Sequence, residues 1–235
     1  MAVITATTSS APAATKRLGL AQYAGYASGD AANNLAFSMS SLFLLLYYTD
    51  VVGLSAAAVG TMFLLVRFWD AVTDLFAGRM VDKASSRWGK FRPFILFGAL
   101  PLLLLSMATF TVPSSLHGTG GGLVYAYITY AMLGLLYSLV NIPYGSLAAA
   151  MTQVPTERAK LATWRVYGSN LTILMLAFVV APQIKGSDDL QRSLTITTGA
   201  FVVVGAVLYL ITFFTAREQV QRDVPVSASG RASRH

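Results

Sequence analysis

The sequence contains no cysteine, which removes disulfides and thiolate metal sites from consideration. Charge is scarce as well. Only 11% of the 235 residues are Asp, Glu, Lys or Arg, where a soluble domain carries about 25%, so a water-soluble globular domain is a poor description. Apolar residues fill the deficit: 55% are hydrophobic, and the mean hydropathy is +0.59. Repeated membrane spans produce this balance, since each needs roughly 20 mostly apolar residues to cross the hydrocarbon.

A net charge of +7 would suit nucleic acid if the basic residues formed one patch, but they lie between apolar runs, and no nucleic-acid partner is expected. The runs extend near Leu18–Tyr48, Ala56–Met80, Phe94–Val112, Leu123–Met151, Leu161–Ile184 and Leu194–Phe214. Lys16 and Arg17 precede the first run, whereas the next loop, TDVVGLS, has no Lys or Arg. Lys83, Arg87, Lys90 and Arg92 follow the second run, PSSLHGTGGG after the third has none, and Arg158 and Lys160 follow the fourth. Arg217, Arg222, Arg231 and Arg234 lie in the tail. The positive-inside rule then places both termini in the cytoplasm. Lys185 and Arg192 blur the fifth loop, and Asp188 and Asp189 beside them do not cancel this, because the rule counts Lys and Arg. The expected organisation is a flexible cytoplasmic tail over residues 1–17, a six-helix transmembrane bundle over 18–216, and a second cytoplasmic tail over 217–235. The polar, low-complexity ending PVSASGRASRH reads as a truncated or frameshifted tail.

Within the second run, RFWDAVTDLFAG carries Arg67, Asp70 and Asp74. A charged residue at the centre of a membrane helix costs about 2.5 to 3.5 kcal/mol on insertion scales, so these groups should face the bundle or a water-filled cavity. Asp70 and Asp74 are one helical turn apart on one face, with Arg67 on a neighbouring line. Two carboxylates that close need a proton on one of them or a shared cation, and a hard cation such as Na⁺ suits oxygen ligands. The alternative is an internal Arg67–Asp70 ion pair with Asp74 tolerated beside it. Other runs hold polar groups too: Asp30, Asn33 and Asn34 in GDAANNLAFSMSS; Tyr137, Ser138, Asn141 and Tyr144 in YSLVNIPYGS; Arg165 and Asn170 in TWRVYGSN. Amides, hydroxyls and aromatic faces are what a sugar requires, and interhelical hydrogen bonding uses the same groups.

The loop GRMVDKASSRWGKFRP sets Gly78 and Asp82 against Lys83, Arg87, Gly89, Lys90 and Arg92. Such a cluster can latch helix ends on the cytoplasmic side; it can also be a topogenic signal with no further task. A separate class remains open, an intramembrane Mg²⁺-dependent prenyl- or phosphotransferase holding a diphosphate with its DxxxD. That chemistry needs a second acid cluster, and only Asp82 follows, among bases.

The loop resembles the signature between the second and third helices of major facilitator transporters. More narrowly, YYTDVVGLS, VRFWDAVTD, SRWGKFRPFILFG and YSLVNIPYGSL resemble the glycoside-pentoside-hexuronide:cation symporters, the family that includes the melibiose carrier. GDAANNLAF, AAAVGTM, VYAY and NIPYGSLAAAMTQ look most like its glucuronide carriers. The similarity runs from about Gly25 to Glu218 and implies an all-α membrane protein: six helices forming one half, itself a 3+3 inverted repeat, of a twelve-helix transporter. It implies a bacterial inner (cell) membrane protein and no enzyme. No cofactor is implied beyond a coupling cation, Na⁺ or H⁺. Asp70 and Asp74 match the family's cation-binding aspartates. Ser138 stands where the melibiose carrier has a threonine near the cation, and Thr73 replaces an asparagine between the two acids. Asn34 and Asn141 fall where that carrier uses sugar-binding aspartates, a departure that fits an acidic sugar such as a glucuronide. Arg165 matches a family arginine suited to the sugar carboxylate. Asp30, Asn33, Tyr137 and Tyr144 complete the expected substrate set. Leu75 replaces a proline, with no evident consequence. The implied partners are a glycoside or glucuronide, membrane lipid, and a second half-transporter or a copy of this chain. A non-transporting fragment or scaffold half is the alternative.

Overall fold

The computed structural model describes residues 17–84 and 86–219. The expected tails therefore lie outside the described residues, apart from Arg17 and residues 217–219. Six helices follow in order: α1 Leu20–Leu46, α2 Ala56–Lys83, α3 Arg92–Thr109, α4 Gly120–Met151, α5 Pro155–Gly186 and α6 Leu190–Thr215. A π-helical turn, Tyr47–Val51, extends α1, and a short 3₁₀ turn, Ser114–Leu116, precedes α4.

Local chemistry sets the ends. Ser55 accepts from the Ala58 amide, Thr119 from that of Gly122 and Asp189 from that of Arg192, each capping a helix start. Pro155 opens α5, where its missing N–H is no loss. That helix begins before the apolar run at Leu161 because Glu157 anchors its charged first turns. The buried Glu157 carboxylate accepts from the Leu18 amide, the Tyr23 hydroxyl and Lys160. Bilayer thickness fixes the length of the apolar stretch and leaves the helix free to extend past it. Pro101, Pro143 and Pro182 sit inside helices, which membrane bundles tolerate when neighbours re-satisfy the freed carbonyls.

Five of the helices, α2 to α6, are long and apolar enough to cross a membrane by length and composition. α1 falls short because Asp30, Asn33, Asn34 and four serines interrupt it, yet it lies inside the bundle, with Asp30 and Asn33 buried. It packs on α5 and α6, α4 packs on α2 and α3, and α3 meets α6. Exchanging α1 with α4, α2 with α5 and α3 with α6 maps this pattern onto itself, which is the arrangement of a 3+3 repeat. Where α1 crosses α4, the rings of Tyr26 and Tyr144 stack at 4.7 Å and the Tyr144 hydroxyl donates to the Tyr26 carbonyl at 2.6 Å. Gly29 makes this possible, since a Cβ there would lie 2.5 Å from the Tyr144 ring. The outer faces carry exposed apolar side chains such as Phe97, Leu171, Phe178 and Val203.

Candidate functional site

A cavity of about 220 Å³ opens between α1, α2 and α4. Asp70 and Asp74 line it from α2, Tyr137, Ser138 and Asn141 from α4. Helical spacing explains the convergence: residues 70 and 74 share a face, as do 134, 138 and 141. Ser138 Oγ donates to Asp74 Oδ1 at 2.5 Å. Arg67 Nη1 lies 3.4 Å from Asp70 Oδ2, the ion pair foreseen as an alternative. It occurs alongside the shared cavity, since Arg67 also lines that cavity. Two acceptor oxygens, Asp70 Oδ1 and Asn141 Oδ1, are buried without a hydrogen-bond partner among the described residues. A buried acceptor left unpaired costs about 1 to 3 kcal/mol, so the cavity presents oxygen atoms that call for a cation or a donor.

Thr73 is not among the lining residues. Its hydroxyl donates to the Asp70 carbonyl of its own helix at 3.0 Å, and its side chain is buried. Consecutive helical residues point about 100° apart, so a side chain between the two acids is turned off their face.

A second cluster joins α1 to α5. Arg165 Nε donates to Asp30 Oδ1 at 2.7 Å, and Asn34 Nδ2 donates to Asp30 Oδ2 at 3.2 Å. Ser38 donates to Asn34 Oδ1 at 2.7 Å. Asp30 therefore holds the arginine that the sequence reading reserved for a sugar carboxylate. The remaining guanidinium edge is partly exposed and lies 5.2 Å over the Tyr144 ring. Asn33 is turned the other way: its side-chain oxygen accepts from the Tyr209 hydroxyl at 2.6 Å, tying α1 to α6. Tyr144 is fully buried. Neither Asn33 nor Tyr144 offers a polar atom to the cavity, because both bond within the bundle.

Between the clusters, Phe37 stacks on Tyr137 at 4.6 Å. Both rings line the cavity. Phe37 was not singled out in the sequence; its position three residues after Asn34 is the signal that could have found it.

At the end of the bundle that holds the basic loops, Gly89 has φ of +107°, a conformation open to glycine and rare for other residues. Beside it, the Glu218 carboxylate accepts from the backbone amides of Lys90, Phe91 and Arg92 at 2.9, 2.8 and 3.3 Å. It thereby caps α3, whose own N-cap residue Phe91 provides no side-chain bond. The Arg92 guanidinium donates to the Phe213 carbonyl and lies 4.3 Å over the Phe213 ring. Of the expected latch, Asp82 meets only Lys90 among the described residues, at 3.6 Å. Arg87 stacks over Trp88 at 5.0 Å, and a Cβ on Gly78 would meet nothing within 4 Å. Lys83 makes no ion pair among the described residues. Glu218 was missed as a site residue; its place just beyond α6 and opposite the basic loop was the available clue.

The family described as MFS/sugar transport protein matches residues 25–233. The chain is 53% identical over 202 residues to the glucuronide carrier protein homolog of Escherichia coli (strain K12), covering 85% of this chain and 44% of that protein. It is 38% identical to the inner membrane symporter YicJ of the same organism, covering 88% of this chain and 45% of that protein. With the isoprimeverose transporter of Lactiplantibacillus pentosus the identity is 37%, again covering 88% and 45%. The chain thus spans about half the length of the curated relatives it matches. A family of transporters removes the intramembrane transferase from consideration. With its apolar helices, the chain is a multi-pass membrane protein. It belongs to the MFS/sugar transport protein family, among the glycoside-pentoside-hexuronide symporters of the major facilitator superfamily, and corresponds to their N-terminal half.

Proposed function

We propose that this chain supplies the cation-binding half of a sodium-coupled glycoside symporter in a bacterial inner membrane, with both termini cytoplasmic. The observation that carries the reading is the single cavity shared by Asp70, Asp74 and Ser138, with the unpartnered oxygens of Asp70 and Asn141 in its wall. Arg67 balances one carboxylate, and one monovalent cation bound there would balance the other. Hard oxygen ligands favour Na⁺ over softer ions. Asp30, Asn34, Tyr137, Asn141 and Arg165 form the substrate side, suited to the hydroxyls and carboxylate of a glucuronide or related glycoside. The names of the relatives, a glucuronide carrier homolog and an isoprimeverose transporter, support that class. A second six-helix half, separate or a copy of this one, completes the sugar site, and rocking of the two halves alternates its access. The coupling is a free energy shared between cation and sugar.

Thermal unfolding of the full chain in detergent tests the cation site, as NaCl replaces choline chloride at constant ionic strength. A ligand bound only by the folded state raises its stability saturably, so the wild type should shift upward with a defined sodium midpoint and Asp70→Asn should not. A shift that follows pH and ignores sodium assigns the proton as the coupling ion. No response to either removes the cation reading and leaves a scaffold half.

A further inference from the structure

Two residues of α4 face the acids of α2: Ser138, which bonds Asp74, and Gly134, one turn earlier, which faces Asp70. A Cβ placed on Gly134 would overlap Asp70 Oδ1 and lie 3.3 Å from its carboxyl carbon. That oxygen is one of the two in the cavity that are buried and unpartnered. It occupies the volume a side chain at position 134 would take.

The helices cannot readily separate to relieve such a clash. Trp69 Nε1 donates to the Ala131 carbonyl at 3.0 Å on one side of Gly134, and Ser138 bonds Asp74 at 2.5 Å on the other. The soft coordinate is the Asp70 side chain itself. Its carboxylate can rotate away from α4 towards Arg67, which already holds its second oxygen at 3.4 Å. Rotation keeps the fold and moves the oxygen.

We propose that Gly134 is a positioning residue for the cation: by having no side chain it lets the Asp70 carboxylate reach α4, so that Asp70, Asp74 and Ser138 present oxygens to one ion. This rests on the cation reading above and adds to it, giving cation affinity to a residue with no ligand atom on a side chain. Gly60, on α2, is the internal control, because a Cβ there meets nothing within 4 Å.

The test measures the sodium midpoint of thermal stabilisation in the full chain for wild type, Gly134→Ala, Gly60→Ala and Asp70→Ala, with Gly134→Ala also placed in the Asp70→Ala background. The midpoint of Gly134→Ala should rise about fivefold to a hundredfold, the range that overpacking at one site converts to, with helicity retained and Gly60→Ala unchanged. A wild-type midpoint in folded Gly134→Ala overturns the proposal. If Gly134→Ala fails to fold, recovery of folding in the double variant supports the clash with Asp70, and no recovery overturns it. If wild type itself ignores sodium, the cation reading fails; the positioning of Asp70 then stands only if Gly134→Ala lowers the melting temperature with Asp70 present and not with Asp70→Ala.

Discussion

Arg165 on α5 donates to Asp30 on α1 at 2.7 Å, with the carboxylate side chain 7% exposed and the arginine 36%. Removing one partner of a buried pair strands the other and costs about 3 to 5 kcal/mol. The partial exposure of Arg165 lowers this, so Arg165→Ala should lose about 2 kcal/mol. Asp30→Asn together with Arg165→Ala should recover part of the loss. Unfolding of the three variants in detergent gives the comparison, and additive losses would contradict a coupled pair.

Ser138→Ala leaves Asp74 Oδ1 without its donor at 2.5 Å. The expected result is a weaker sodium response with a midpoint raised about tenfold to a hundredfold, as loss of one hydrogen bond to a charged group, worth about 1.5 to 3 kcal/mol, implies. Ser138→Thr keeps the hydroxyl and should stay near wild type. An unchanged midpoint in Ser138→Ala excludes the hydroxyl from the ion's surroundings.

Glu218→Ala should expose three amide groups at the start of α3. Losing a cap costs about 0.5 to 2 kcal/mol. The local effect should exceed the global one, with faster trypsin cleavage at Arg87 and Lys90 in the adjoining loop. Cleavage at the wild-type rate would show that the cap does not hold that loop.

Tyr209→Phe removes the donor to Asn33 Oδ1, on a side chain whose Nδ2 is already unpaired. A stability loss of about 1 to 3 kcal/mol is expected, with no change in sodium midpoint, because this bond lies between α1 and α6 and outside the cavity. A shifted midpoint would tie α6 to the ion.

The six helices were legible because the hydrocarbon demands apolar runs of a set length, and no tertiary contact is needed to see them. The pairing of Asp70 with Asp74 was legible for a similar reason: one turn of helix is a local rule. Asn33 and Asn34 show the limit. They are adjacent in sequence and equally polar, and only the position of Tyr209 and Asp30 on other turns decides which one bonds inside the bundle and which one stays with the ion pair. Gly134 and Glu218 were harder to read for a stronger reason. A missing side chain has no chemistry of its own to notice, and the amides Glu218 caps lie 126 to 128 positions before it.

The polarity of α1 bears on how the protein is made. Asp30 precedes Arg165 by 135 residues. At roughly 5 to 20 residues per second of synthesis, the acid waits on the order of ten seconds before its partner exists. α1 alone falls short of the apolar content of the other five helices, and the helices it packs on, α5 and α6, emerge only after α2, α3 and α4. Its stable seat in the bilayer therefore waits until α5 and α6 have been made. A substitution at Arg165 should harm the yield of inserted protein before it harms anything the finished molecule does.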